Sequence, residues 1–346
     1  MKPLNAHRLL VVGSLDYAST SWSRLKVFRN IFNRVEAVGT MEQISGLHLW
    51  AHLLTNHLYS GPTIQRINRQ VLEKAQSFKP EILWVEKGLH LRPDTLKRIR
   101  AGGCRLLIHF SPDNQTIRGN QSQHYLGGIP IYDLHVTNKT RNVDWLIKSG
   151  ALRVELIGNG FDPNIHRPVQ LTPEDMERFG CDIGFVGHWE PSREKLLLWL
   201  LGLGYRMKVH GGRWERARNR RHPLFAHSRH LVGDEYAKAL CGAKINLCLL
   251  SEWFGDQTTT RSIEIPACGK FMLAERNEEH LALFREGVEA EFYGAREEML
   301  EKAAHYLQHE DEREKIGRAG LVRCLAGYRN EDRLRDVFGR IFGGAK

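Results

Sequence analysis

The chain lacks any stretch long and apolar enough to cross a bilayer. Its longest apolar run, Leu196–Leu203 with Gly202 inside it, falls well short of the about 20 residues a spanning helix needs. The amino end offers only Leu9–Val12 before Gly13, too short for the apolar region of a secretory signal, so a cytoplasmic location is expected. Cysteine is sparse. The six residues Cys104, Cys181, Cys241, Cys248, Cys268 and Cys324 form no C-x-x-C pair, which excludes a zinc ribbon or dithiol redox motif and suits a reducing compartment. No G-x-G-x-x-G occurs, so the turn Gly13-Ser14-Leu15-Asp16 after the first apolar run is not a dinucleotide fingerprint. Low-complexity blocks are absent too.

What is present is an ordinary globular composition in 346 residues, 42% hydrophobic and 26% charged, enough for two domains that each bury a core. The formal charge of +10 favours acidic partners. The densest basic stretch is Arg213, Arg216, Arg218, Arg220 and Arg221. It reads either as a solvated loop or as a patch contacting an acidic acceptor or the surface of an anionic membrane. Without a zinc finger, RNP-like aromatics or heptads beside it, nucleic acid is not an expected partner.

Short apolar runs alternate with amphipathic stretches along the first half. Strands are predicted at Leu9–Val12, Val35–Val38, Ile82–Val85, Leu106–Phe110, Leu134–Thr137 and Val154–Ile157, with helices such as Ile64–Phe78 and Pro93–Ala101 between them. The hydrophilic passage 158–180, carrying Pro163, Pro168 and Pro173, reads as an interdomain connection. The pattern then restarts, with strands predicted at Ile183–Val186, Met207–His210, Ile245–Leu250, Phe271–Ala274 and Ala290–Tyr293. Alternation of this kind predicts an α/β protein with a parallel sheet in each half and ligands beyond the carboxyl ends of the strands, in a cleft between the halves. The expected domains are 1–165, 166–329 and a terminal helix in 330–346 that packs back on the first domain. Leu334, Val337, Phe338, Ile341 and Phe342 give that helix its apolar face.

The most informative segment runs from Asp256 through Thr258-Thr259-Thr260-Arg261 to Glu264, Gly269 and Lys270. A loop leads into a short helix that any of the threonines is placed to cap. Arg261 in its first turn adds positive charge for an anion, and Glu264 one turn on suits the vicinal hydroxyls of a ribose. Gly187, ending a predicted strand, and Arg193, opening the next helix, are candidates for phosphate contact. In the first half, His109-Phe110-Ser111-Pro112-Asp113 ends the strongest strand. Asp113 is the candidate general base, with His109 and Asp16 as alternatives.

Arg261–Glu275, together with Leu281–Phe284, Tyr306–Arg313, Asp182–Gly187, Val209–Trp214, Lys244–Leu247, Val136–Asn138 and Gly158–Pro163, resembles the CgeB-like glycosyltransferases, relatives of the group 1 type. The resemblance covers most of Leu134–Arg329. It implies a GT-B fold, two Rossmann-like domains facing across a cleft, and transfer of a sugar from a UDP-, GDP- or TDP-sugar to an acceptor it does not name: a cell-surface glycan, lipid-linked sugar, protein or metabolite. In such proteins two acidic residues separated by seven others flank the donor helix, and Asp256 and Glu264 occupy those positions. No D-x-D triplet occurs, so no metal and no further cofactor is expected, with arginines supplying the positive charge. A sugar-nucleotide epimerase or hydrolase, and a non-catalytic coat-associated sugar-binding relative, are the competing readings.

Overall fold

The computed structural model describes residues 3–16, 19–44, 48, 55 and 58–342. Six strands make one wholly parallel sheet: β1 (Arg8–Gly13), β2 (Arg34–Gly39), β3 (Ile82–Glu86), β4 (Leu106–Ser111), β5 (Leu134–Thr137) and β6 (Val154–Leu156), in the order β2-β1-β3-β4-β5-β6. Five more make a second parallel sheet: β7 (Cys181–Val186), β8 (Met207–His210), β9 (Ala243–Cys248), β10 (Met272–Glu275) and β11 (Glu291–Tyr293), in the order β11-β10-β9-β7-β8. Each predicted strand is present, displaced by no more than a few residues at its ends. The reason is physical. A parallel strand has helices on both faces, so Leu9, Leu10, Val11 and Val12 are all buried and the strand reads as an unbroken apolar run.

The chain forms two compact units, residues 1–158 with 331–346, and residues 159–330. The first unit is completed by the last helix, Asn330–Phe342, whose Leu334, Val337 and Phe338 are buried beside Phe28, Phe32 and Trp84. The Phe338 ring stands 5.0 Å from Phe32 and 6.0 Å from Trp84, and Arg340 reaches Glu155 at 3.0 Å.

The first unit ends earlier than the expected 165. Phe161 already belongs to the second unit: it is buried in that unit's core, pairs with Arg329 and accepts the Asn330 N–H at 2.9 Å. The passage 158–180 is also more ordered than a connection. Thr172 and Asp175 form a capping box, and Pro173 occupies the first turn of the helix Pro173–Phe179. Proline there loses no hydrogen bond and presets the helical φ.

Candidate functional site

In each sheet the strand order reverses at one place, between β1 and β3 in the first and between β7 and β9 in the second. At such a point the connections leave in opposite directions and open a crevice at the carboxyl ends of the strands. The candidate residues gather at these two places.

In the second unit, β7 runs into Gly187 and the helix Pro191–Gly202, while β9 runs into Leu249 and the loop ahead of the helix Arg261–Ala267. Arg193 is buried and donates from Nη1 to the His188 carbonyl at 2.9 Å and from Nη2 to the Leu249 carbonyl at 3.3 Å. Arg261 Nη2 donates to the same Leu249 carbonyl at 3.1 Å. Both guanidinium carbons lie 5.6 Å from the Phe185 ring. Two cations thus converge on one carbonyl over one aromatic face. Burial first, and then the neighbouring charge of Arg261, push the Arg193 guanidinium down to about 10, so it stays charged near neutrality. Glu190, at 3.1 Å, is its carboxylate partner, and Asp256 adds a weaker attraction. Neither Arg193 Nε nor Arg261 Nε has a hydrogen-bond partner although both are buried. Excess positive charge with unsatisfied donors is what an anion site offers before its ligand arrives.

Gly187 stands against these arginines. A Cβ at Gly187 would meet Phe185 Cζ at 2.6 Å and Arg261 Nη1 at 3.2 Å. Facing it is Gly211, with φ at +141°, where a Cβ would lie 1.9 Å from the Gly187 carbonyl oxygen. Glycine at 187 is therefore required by packing of the β7 end.

Glu264 faces the same loop. Its Oε2 accepts from the Tyr236 hydroxyl at 2.5 Å and from Thr260 Oγ1 at 3.1 Å, and its Oε1 lies 3.5 Å from His166 Nε2. Burial, then the charge of Glu264, raises the Tyr236 phenol well above its usual value, so it keeps its proton and donates. Thr260 holds the N-cap position without capping, which corrects the expected role: its hydroxyl is spent on Glu264. The entry to the helix is fixed instead by Ser262, whose Oγ accepts the Thr259 N–H at 3.0 Å and lies 2.8 Å from His280 Nε2. His280, Tyr236 and His166 carry no pattern in the sequence that marks them, because each reaches the site from a different element.

In the first unit a cavity of about 230 Å³ opens at the β1/β3 reversal. It is lined by the apolar side chains of Val12, Met41, Ile67, Val85, Leu89 and Leu91 and by Ser14, Thr40, Glu86, Lys87 and His90, with Gly88. Asp113 pairs with Lys87 at 2.7 Å, and Asp16 accepts from Ser14 Oγ at 3.0 Å. Two of the proposed carboxylates therefore touch residues of one cavity wall. Arg24 is turned inward, paired with Glu86 at 2.6 Å and stacked 4.2 Å over Phe110. Glu86 was missed as a site residue. Its signal was an acid at the end of an otherwise apolar strand, and it is saturated by Arg24, Ser21 Oγ at 3.1 Å and Trp84 Nε1 at 2.8 Å.

His109 is a correction. It lies on the inner strand β4, 1% exposed, among Tyr125, Tyr132 and His135. Its Nε2 is 3.1 Å from the Lys87 carbonyl and its Nδ1 is 3.1 Å from His135 Nδ1. Burial, then His135, lowers its pKa well below the usual histidine value. A neutral ring with both nitrogens engaged and no exposed edge packs the core and reaches no acceptor.

Among the described residues, the one group of histidine and acidic side chains spaced to hold a metal is His305, His309 and Glu312, all exposed, where the helix Arg296–Gln308 meets the helix Glu310–Leu325 at His309.

Comparison with known proteins gives the following. Residues 193–339 match the family described as glycosyl transferase-like. No curated protein matches the sequence. The structure is similar to Anabaena Alr3699/HepE in complex with UDP-glucose, with a TM-score of 0.65 and 13% identity over 97% of this chain and 100% of that one. It is also similar to sucrose-phosphate synthase from Thermosynechococcus elongatus, with a TM-score of 0.67 and 10% identity over 98% and 100%, and to a glycosyltransferase from Rickettsia africae, with a TM-score of 0.65 and 13% identity over 99% and 100%. The chain therefore has the α/β GT-B fold with its two parallel sheets, and its residues 193–339 are similar to the glycosyl transferase-like family.

Proposed function

We propose that the protein is a glycosyltransferase that takes a hexosyl group from a nucleoside diphosphate sugar, with a UDP-sugar as the first candidate donor. The observation that carries this reading is the pair Arg193 and Arg261, converging on the Leu249 carbonyl with Glu264 one turn further along the helix that begins at Arg261. The arginines are assigned the diphosphate. The Glu264 carboxylate, oriented by Tyr236 and Thr260, is assigned the ribose hydroxyls. The similar Anabaena protein holds UDP-glucose, which supports the choice of donor.

In the reaction proposed, the acceptor hydroxyl oxygen forms a bond to the anomeric carbon as the bond to the diphosphate oxygen breaks. The departing charge falls to the two guanidinium groups, in the manner of preorganised electrostatic stabilisation. The hydroxyl proton is assigned to Asp113, and the cavity beside Lys87 to the acceptor. Because arginines supply the positive charge, donor binding is expected to be equal in EDTA and in magnesium.

Calorimetry with UDP, GDP and TDP tests the reading. Glu264→Gln is expected to weaken the bound nucleotide ten- to hundredfold, since hydrogen bonds to a charged acceptor contribute about 1.5–3 kcal/mol and each 1.4 kcal/mol is about tenfold. Failure of the parent chain to bind any of the three, or full affinity in the variant, refutes the donor assignment. Donor turnover without an acceptor would point to the epimerase or hydrolase class.

A further inference from the structure

The basic stretch has a structure that a solvated loop does not need. Trp214 is buried, stacks on Phe225 at 4.5 Å and donates from Nε1 to the Gly187 carbonyl at 3.0 Å. Ala217 is buried as well. The backbone N–H groups of Arg218 and Asn219 donate to the buried Glu194 carboxylate at 3.1 and 2.7 Å. These pins alternate along the chain with Arg213, Arg216, Arg218, Arg220 and Arg221, all exposed. None of the five has an ion-pair partner among the described residues, although most of the unit's other arginines do. The cations are therefore held on a fixed frame and left uncompensated.

A second feature adjoins them. Trp189 donates its backbone N–H to the Gly212 carbonyl at 3.0 Å and its Nε1 to Glu194 at 2.7 Å, the carboxylate that also holds Arg218. Trp253 packs edge-on against Trp189 at 5.9 Å and is itself 48% exposed, with Phe254 beside it 37% exposed. Two large aromatic side chains thus stand in solvent next to the arginines. Glu215 and Glu252 are the exposed acids of these two segments, against five guanidinium groups. Fixed cations attract an anionic surface over the about 10 Å that salt permits, and an amphipathic indole at the edge of the patch settles at the headgroup level of a bilayer.

We infer that Arg213–Arg221 together with Trp253 and Phe254 form a docking surface for an anionic phospholipid bilayer. The inference stands apart from the donor assignment, because vesicle binding is read without nucleotide or sugar transfer. The Trp253 loop leads through Asp256 to Arg261, and Glu252 N–H bonds Glu190, the partner of Arg193. If both readings hold, docking brings the donor arginines close to the lipid surface, and the acceptor is one presented there.

The test is co-sedimentation of the full chain with phosphatidylcholine vesicles made with and without phosphatidylglycerol. Binding is expected only to the anionic vesicles. Each basic residue near such a surface multiplies partitioning about fivefold, so Arg216→Ala, Arg218→Ala and Arg220→Ala combined should lower it about a hundredfold. Trp253→Ala should lower it several-fold and leave the salt dependence unchanged. The three arginines are exposed and unpaired, so the triple variant should keep the parent's melting temperature and its UDP affinity. Equal partition of parent and triple variant, equal binding to neutral vesicles, or retention of duplex DNA in place of vesicles would each overturn the inference.

Discussion

Arg261→Ala should lower nucleoside diphosphate affinity at least about a hundredfold while barely changing the stability of the unliganded protein. Two opposing effects set the second half of that expectation. The variant loses the hydrogen bond to the Leu249 carbonyl and the contact over Phe185. It also removes a like charge that presses on buried Arg193. Both contributions are on the order of 1 kcal/mol, so they largely cancel. Binding has no such offset. A guanidinium offers a diphosphate two parallel charge-assisted hydrogen bonds, each contributing about 1.5–3 kcal/mol, and alanine replaces neither. Calorimetry with UDP beside a thermal melt without ligand reads the two quantities separately. Undiminished affinity would remove Arg261 from the site. A large fall in the unliganded melting temperature would make it a structural residue.

Glu194→Ala should destabilise the protein by about 3–5 kcal/mol. Glu194 is buried and accepts from Trp189 Nε1 at 2.7 Å, from the N–H groups of Arg218 and Asn219, and from Asn219 Nδ2 at 2.9 Å. Removing the carboxylate leaves those donors without an acceptor, and each unsatisfied buried donor costs about 1–3 kcal/mol. The contribution depends on pH. Burial alone would raise the Glu194 carboxyl, but hydrogen bonds from Trp189, Asn219 and Arg218 hold it below its usual value. A depressed carboxyl contributes stability above the unfolded value, about 4.3, and that stability is lost as pH falls through the folded value. Urea unfolding of parent and variant at about pH 7 and again below about pH 4 should show the difference between them shrinking in acid. A difference that does not change with pH would mean the acceptor role is not ionic.

The sheets were legible because burial on both faces leaves the inner strands mostly apolar. Ile82–Glu86 reads as a strand from its apolar side chains alone. The site was legible only in part. Arg261 and Glu264 share one helix, so their spacing is written in the sequence. The approach of Arg193 to Arg261 is not, because it depends on β7 and β9 being neighbours, and strand order is a long-range property. His109 went wrong for a related reason. A polar residue near the end of a strand looks poised for solvent, but β4 lies between β3 and β5, and the aromatic rings of Tyr125 and Tyr132 close over it. The helix Pro173–Phe179 has its signal in plain view, Thr172-Pro173-Glu174-Asp175, a cap followed by a first-turn proline, within a passage that its prolines make read as an interdomain connection.

The last helix has a consequence for how the protein comes into being. Trp84 and Phe28 are covered by Phe338, a side chain that leaves the ribosome only after the whole of the second unit. Residues 159–330 are an uninterrupted insertion and are complete on the nascent chain before the part that precedes them. The first unit must wait, with the aromatic face of its sheet bare, until the helix Asn330–Phe342 arrives. Vectorial synthesis thus runs against spatial order here: the unit translated first is the one finished last. Truncation before Asn330 would spare every strand of the two sheets and still leave that face uncovered.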